Sequence, residues 1–309
     1  MSLKIIRGME HFIGSEENGV VTMGTFDGLH LGHQMILKRL IDSSLREKLH
    51  PLAITFEPHP RVLVTPDSPP PLLTTWDEKV ALFSRYMSGH LLVLEFNREL
   101  MNLTAEDFIR KYLVDKIGLK RLIVGYDHAF GKNRSGTIND LMELSHKYSF
   151  ALEIVDPILV DGKPISSSRI RRAFQEGKFA EGIAMLGHSY SVGGTVIRGI
   201  GLGKKLGYPT ANLRIGPRKL LPPEGVYACR VEIDGNKYDG MMFIGTNHFN
   251  PGAGVSVEVN IFEFERDIYD REIIIYPERF LRENRKFSGP EALAAQIKLD
   301  KEQAMSIKK

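Results

Sequence analysis

Up to about residue 186 the chain alternates short apolar runs with stretches of helical spacing. Val20–Thr25 predicts a strand, His33–Lys48 a helix and Leu52–Phe56 a second strand. A connection rich in proline (Pro58, Pro60, Pro66, Pro69, Pro70 and Pro71) leads to a helix over Thr75–Tyr86, capped by Thr74 or Thr75. Leu91–Leu94 follows as a strand, then a helix over Thr104–Lys116 with Thr104 placed to cap it. Arg121–Val124, Ile138–Tyr148 and Leu152–Val155 continue the alternation as strand, helix and strand. Strands separated by helices of this length predict an α/β domain with a parallel sheet covered on both faces. Ligands of such sheets sit at the carboxyl ends of the strands. The proline-rich stretch 57–71 lies between elements of one sheet and is expected to be a binding loop, not a linker.

Near Gly187 the rhythm changes. Tyr190–Ile197, Tyr227–Ile233, Lys237–Ile244, Val255–Phe264 and Arg271–Ile275 are strand-like, with turn chemistry such as Asp234-Gly235 between them. Consecutive strands without helices predict an antiparallel sheet or a small barrel. A closing helix starts around Pro290 and runs through Leu293 and Ile297. The domains are therefore expected at residues 1–186 and 187–309, with no internal repeat or low-complexity segment.

Composition restricts the partners. The formal charge of +3 is too small to single out nucleic acid or a membrane surface, and small molecules are expected instead. Homo-oligomerisation is compatible with the chain. No run approaches the ~18–20 apolar residues of a membrane span, and MSLKIIRGMEH lacks the apolar core of a signal peptide. The single cysteine, Cys229, excludes an intrachain disulfide and a cysteine metal cluster, and its flanks make it a buried strand residue. A cytoplasmic protein is expected.

Chemistry is concentrated in GTFDGLHLGH, Gly24–His33, where a strand gives way to a helix. Backbone N–H groups and the helix dipole attract phosphate at such a junction, and glycines at 24, 28 and 32 let the chain turn and let a ligand approach. His30 and His33, three residues apart at the first turn, can face that ligand together and donate to phosphate oxygens. ISSSRIRR, Ile165–Arg172, sets hydroxyls before guanidiniums at a helix start; Ser167, Ser168 and Arg169 suit either a triphosphate or a plain serine cap. TFEPHPR (Thr55–Arg61) and GYDHAFGKNRSG (Gly125–Gly136) also open at the ligand edge. Phe56, His59, Arg61, Tyr126, Asp127, Phe130, Asn133 and Arg134 mix rings with polar groups, as a flat heteroaromatic ligand carrying phosphate requires. Phe56 reads equally as a core residue ending its strand.

The H-x-G-H resembles the signature of the nucleotidyltransferase superfamily, whose enzymes cleave a nucleoside triphosphate at its α-phosphate. The four motifs in this order resemble the N-terminal module of the bacterial bifunctional riboflavin kinase/FAD synthetase family, and the resemblance runs from about Val20 to Asp300. It implies a Rossmann-like fold for the first domain. It also implies ATP binding by Gly24, Phe26, Asp27, His30, Gly32, His33, Ser167, Ser168 and Arg169, with His30, His33 and Arg169 stabilising charge on the transferring group. FMN would lie by Phe56, His59, Arg61, Tyr126, Asp127 and Phe130. Asp27 is left between two roles, metal binding and holding the loop.

In the second domain GIGLGKKLGYPTANL, Gly199–Leu213, reads as a flexible loop able to close over ATP phosphates or as a glycine-rich hairpin. It is not a Walker A motif. Thr210 and Asn212 can point the same way on an extended segment, and hard oxygen donors suit Mg²⁺. VSVEVNIFEF, Val255–Phe264, alternates Val255, Val257, Val259 and Ile261 on one face, with Glu258, Asn260, Phe262 and Phe264 on the other. There Glu258 can take the proton of an attacking alcohol or sit as an exposed glutamate paired with a lysine.

Riboflavin kinases carry a similar G-[FY]-P-T-x-N segment. The resemblance implies metal and phosphate binding at Thr210 and Asn212, ATP contacts at Gly199, Gly201, Gly203, Lys205 and Gly207, and Glu258 as catalytic base. It places Arg282 and Phe287 beside the flavin and implies a small kinase barrel. ATP would be co-substrate, Mg²⁺ the metal, and riboflavin, FMN and FAD substrates and products. Two departures stand out: GTNHFNPG, Gly245–Gly252, replaces the usual G-x-N-P-T-F, and Lys204 or Lys205 stands where an arginine is usual. A nucleotidyltransferase with another acceptor, or a flavin-binding protein without kinase activity, would share part of this pattern.

Overall fold

The computed structural model describes residues 2–13, 19–132, 135–246 and 255–307. The chain divides into two compact units: Met1–Pro70 with Lys79–Ser167, and Pro71–Glu78 with Ser168–Lys309. The helix Trp76–Tyr86 thus carries residues of both.

In the first unit six strands, β1 (Leu3–Arg7), β2 (Gly19–Met23), β3 (His50–Glu57), β4 (Gly89–Glu95), β5 (Leu119–Gly125) and β6 (Ala151–Val155), form one sheet in the order β1-β4-β3-β2-β5-β6. Every pairing is parallel. β2 is buried along its whole length, as a central parallel strand must be. Strand order reverses between β2 and β5, which opens a crevice at their carboxyl ends. The expected Thr104 cap is present, with its side chain accepting from Asp107 N–H. The helix after it widens to π-type turns over Ile109–Ile117 before Gly118 ends it in a left-handed conformation. β1 escaped the sequence reading because it is a short edge strand with Ile5 exposed, so its pattern carries no apolar run.

The second unit is built on a closed antiparallel barrel of β9 (Val192–Ile197), β10 (Ala211–Ile215), β11 (Gly225–Ile233), β12 (Asn236–Thr246), β13 (Val255–Ile261) and β14 (Glu272–Arg282). A two-stranded hairpin, β7 (Leu159–Val160) and β8 (Lys163–Pro164), precedes it in the chain. Val257, Val259 and Ile261 point into the barrel core with Cys229, Val231 and Met242, and Cys229 is fully buried there. The other face of the wall is covered too. Phe262, Met241 and Ala228 pack with Ala304 of the closing helix Pro290–Ser306. β14 runs well past the expected Ile275: Pro277, which reads as a strand breaker, lies opposite Cys229 beside a bulge in β14 itself, where Glu278 is the extra residue between Pro277 and Arg279.

The segment Pro71–Glu78 is fastened to the second unit by an ion pair among buried groups. Leu72 N–H donates to the carbonyl of Arg218, and Leu220 N–H donates to the carbonyl of Leu72. Lys219 Nζ then reaches the Leu73 carbonyl at 2.8 Å and Glu78 Oε2 at 2.6 Å. The ammonium stands over the Tyr190 ring, 4.2 Å from its centroid. The Glu78 carboxylate also accepts from the N–H groups of Thr75 and Gly193, and Thr75 returns a capping bond to Glu78 N–H. Of the two threonines considered as caps, Thr75 makes this reciprocal pair. The proline-rich stretch therefore ends as part of the second unit.

Removing one partner of such a pair leaves an uncompensated buried charge. Lys219→Met is expected to destabilise the second unit by about 3–5 kcal/mol, read as a lower denaturant midpoint. Glu78→Gln with Lys219→Met should recover much of the loss; equal midpoints for the single variant and the unaltered chain would refute the role of the pair.

Candidate active sites

In the first unit the turn after β2 is wound tightly. Phe26, Gly28 and Leu29 all have positive φ, at 49, 79 and 36°. Only glycine takes that conformation freely, so Phe26 and Leu29 are held there by their surroundings: both side chains are fully buried. Phe26 lies edge-on between His33 and Phe83, with ring centroids 5.2 Å from each. Of the three glycines expected to supply the turn, Gly28 does so. Gly32 instead supplies clearance, since a Cβ there would come within 3.2 Å of the His30 imidazole; at Gly24 a Cβ would meet the Phe26 ring at 3.4 Å, an ordinary contact.

The helix Leu31–Glu47 begins two residues earlier than expected, with His30 as its N-cap. Helical geometry from that point stacks the two imidazoles at 3.7 Å between centroids and 19° between planes. Burial first, then the neighbouring His30 and Lys79, holds the His33 imidazole well below the ordinary histidine range. His33 Nδ1 is buried and has no hydrogen-bond partner among the described residues. A ligand oxygen is the kind of partner such a group lacks. Ser167 Oγ donates to the Asp27 carbonyl at 2.9 Å, so the serine motif and the histidine loop meet within this unit. Ser168 and Arg169 belong to the second unit, where Arg169 pairs with Glu181 at 3.2 Å and Ser168 is exposed.

The expected flavin-side residues follow β3 and β5. Phe56 packs on the core with its edge to Phe96, which favours the structural alternative left open for it. His59 is buried and its Nδ1 accepts from Arg61 N–H, while Arg61 itself is exposed. Tyr126 and Asp127 are exposed beyond β5, and Phe130 leans on Phe108. Asn133 and Arg134 lie outside the described residues.

In the second unit Asn212 of β10 sits directly opposite Glu258 of β13, which puts both side chains on one face. Thr210 Oγ1 donates to Glu258 Oε2 at 3.1 Å, and Asn260 Nδ2 donates to the Pro209 carbonyl at 2.7 Å. The three residues singled out at distant points of the sequence are thus one cluster, on the outer wall of the barrel. Gly199 makes room for it: a Cβ there would stand 2.3 Å from Asn212 Nδ2. Gly201 and Gly203 line the adjoining cavity with Thr210, Asn212 and Glu258. The glycine stretch is less open than expected, since Leu202–Lys205 forms one helical turn with Lys204 and Lys205 exposed.

Arg282 and Phe287 line the same cavity. Arg282 grips Asp300 of the closing helix through Nε at 2.9 Å and Nη2 at 2.8 Å, with its guanidinium 5.6 Å from the Phe287 ring centroid. The loop expected to depart from the usual pattern, Gly245–Gly252, lies outside the described residues from Asn247 onward.

Three buried polar residues here escaped the sequence reading. Asn260 shares the Glu258 face and was legible from the alternation. Lys79, one turn from Phe83, is a cation on an apolar helix face, which is a signal in itself. Asp300 stands among the charges of a polar helix end and gave none.

The FAD synthetase family matches residues 13–169, and the riboflavin kinase family matches residues 186–308. A bifunctional riboflavin kinase/FMN adenylyltransferase of Buchnera aphidicola subsp. Acyrthosiphon pisum is 34% identical over 301 residues, 96% of each chain. The protein of that name from Listeria monocytogenes is 34% identical over 300 residues, 95% of each chain. A crystal structure of a protein described as a macrolide-efflux protein from Streptococcus pneumoniae is 30% identical, covers 99% of both chains and has a TM-score of 0.86.

Because folding excludes the proton from His33, the unfolded chain binds more protons below pH about 6.5 and stability falls as pH drops through that value. A histidine titration by NMR should find the His33 ring neutral at pH 6.5. A midpoint at or above that pH would contradict the buried, stacked arrangement.

Proposed function

The chain belongs to the bifunctional riboflavin kinase/FMN adenylyltransferase family, and from that premise we propose how its residues divide two ATP-dependent steps. The enzyme phosphorylates riboflavin to FMN with one ATP and adenylylates FMN with a second, giving FAD and pyrophosphate. Kinase chemistry is assigned to the barrel and adenylyl transfer to the parallel sheet.

In the kinase step Glu258 accepts the proton of the riboflavin 5′-hydroxyl as its oxygen attacks the γ-phosphorus of ATP. The carboxylate is poised for this by Thr210, and Ser256 Oγ stands 3.5 Å from its other oxygen. Arg282, fixed by Asp300, and Phe287 form the flavin side of the cavity. The observation that carries this reading is the meeting of Thr210, Asn212 and Glu258 on one face of the barrel wall. Those hard oxygen donors fit Mg²⁺, which would keep waters and bind ATP phosphate; when bound it neutralises charge on the phosphates. Thr210 and Asn212 would hold it.

In the transfer step the FMN phosphate is itself the nucleophile, so no protein nucleophile is needed. The loop Gly24–His33, His30 and His33 stabilise charge on the α-phosphate and on departing pyrophosphate, with Ser167 holding the loop through Asp27. Ser168 and Arg169 are kept as phosphate ligands on the resemblance alone, as are His59, Arg61, Tyr126, Asp127 and Phe130 on the flavin side. A cytoplasmic location fits an ATP-consuming enzyme whose single thiol is buried.

Chromatography of flavins after incubation with riboflavin, ATP and Mg²⁺ tests the division. Glu258→Ala should abolish FMN formation, by at least about 100-fold, while FMN supplied directly is still converted to FAD. Loss of both activities in a folded variant would refute two separate sites.

A further inference from the structure

Lys79 is 4% exposed on the helix Trp76–Tyr86. A lysine is almost never buried to that extent unless something pairs with it. Phe83 lies one turn further along the same helix face and packs edge-on against Phe26, which in turn meets the His33 ring. That face is therefore turned toward the histidine loop. Three charged or titratable groups surround the ammonium: Asp27 in the loop, Glu57 at the carboxyl end of β3, and His33 itself. All three stand at the ligand edge of the sheet. Burial lowers the Lys79 pKa, and the two carboxylates oppose that shift. The result is a desolvated cation attracted from two sides, at the edge of the sheet where the histidine loop stands.

We propose that Lys79 is a phosphate-binding residue of the adenylyl-transfer site, whose ammonium meets the departing pyrophosphate beside His33. This rests on the reading that the histidine loop holds the triphosphate. The two histidines have one limitation that Lys79 lifts. Their rings stack against each other, and burial holds the His33 imidazole toward its neutral form, so that ring supplies little fixed positive charge. Pyrophosphate leaves with more negative charge on its bridging oxygen than ATP carried there, and a buried cation acts on that difference in a low dielectric. The two carboxylates favour the charged form of the lysine against the effect of burial. Alternative duty as a mere core filler predicts that an apolar residue of similar length would serve as well.

The test uses the full-length chain with Lys79→Met, Lys79→Arg and His33→Ala. Lys79→Met should lower kcat/KM for ATP in FMN adenylylation by about 100-fold and weaken inhibition by inorganic pyrophosphate about tenfold. Lys79→Arg, which keeps the charge, should lose less in both. Riboflavin phosphorylation, followed in the same samples, should stay within about twofold, and the thermal transition should be retained. Unchanged adenylylation and pyrophosphate inhibition in Lys79→Met would overturn the proposal. So would a loss of adenylylation with pyrophosphate inhibition intact, since that pattern marks a structural role. The underlying reading fails separately: if His33→Ala leaves adenylylation intact, the histidine loop is not the transfer site. If His33→Ala abolishes it and Lys79→Met does not, only the lysine assignment falls.

Discussion

Six strands that all run one way impose the layout of the first unit. A parallel sheet sends every strand's carboxyl end to the same edge and every return through a crossover on its faces. The turn after β2, the loop after β3 and the loop after β5 are therefore neighbours by construction, however far apart in sequence. The reversal of order between β2 and β5 adds the gap into which a ligand fits. Phe26 and Leu29 accept unfavourable backbone conformations there because their side chains are locked into the core beneath.

The barrel solves the corresponding problem on its outside. Its interior is filled by Val257, Val259, Ile261 and their partners, which leaves no room for a nucleotide. The opposite face of β13, carrying Glu258 and Asn260, is walled by the closing helix and by the Pro209–Asn212 segment. One strand with period-2 alternation thereby builds a dry core on one side and a cavity lined by Glu258 and Asn260 on the other. Arg282 and Asp300 join β14 to that helix, so the pocket wall and the helix position are set by the same bonds.

Much of this was legible in the chain. The helix–strand alternation gave the sheet, Thr104 and Thr75 announced their caps, and the Glu258 face followed from alternation alone. What stayed hidden depended on tertiary partners. β1 borrows its register from β4 and has no pattern of its own. β14 passes through Pro277 because it bulges at the next residue, Glu278, as it pairs with β11. The glycines of the histidine loop were read as letting the chain turn and a ligand approach; Gly28 makes the turn, and Gly32 also leaves room for the His30 ring. Lys79 was passed over in the sequence although it stands on an apolar helix face, and its burial beside Phe83 brings it out.

The bond between Glu78 and Lys219 has a meaning for how the two halves can be parted. The second unit is not a continuous stretch of sequence: it takes Pro71–Glu78 from within the first half of the chain. A fragment starting near Gly187 would leave behind the Leu72 backbone that bridges Arg218 and Leu220, and the carboxylate that answers Lys219. Tyr190 and Lys219 would then face water through an opening that the intact chain fills. Severing the gene at the apparent junction thus removes eight residues of the kinase's own packing, and a lineage that separated the two activities would have had to rebuild that surface.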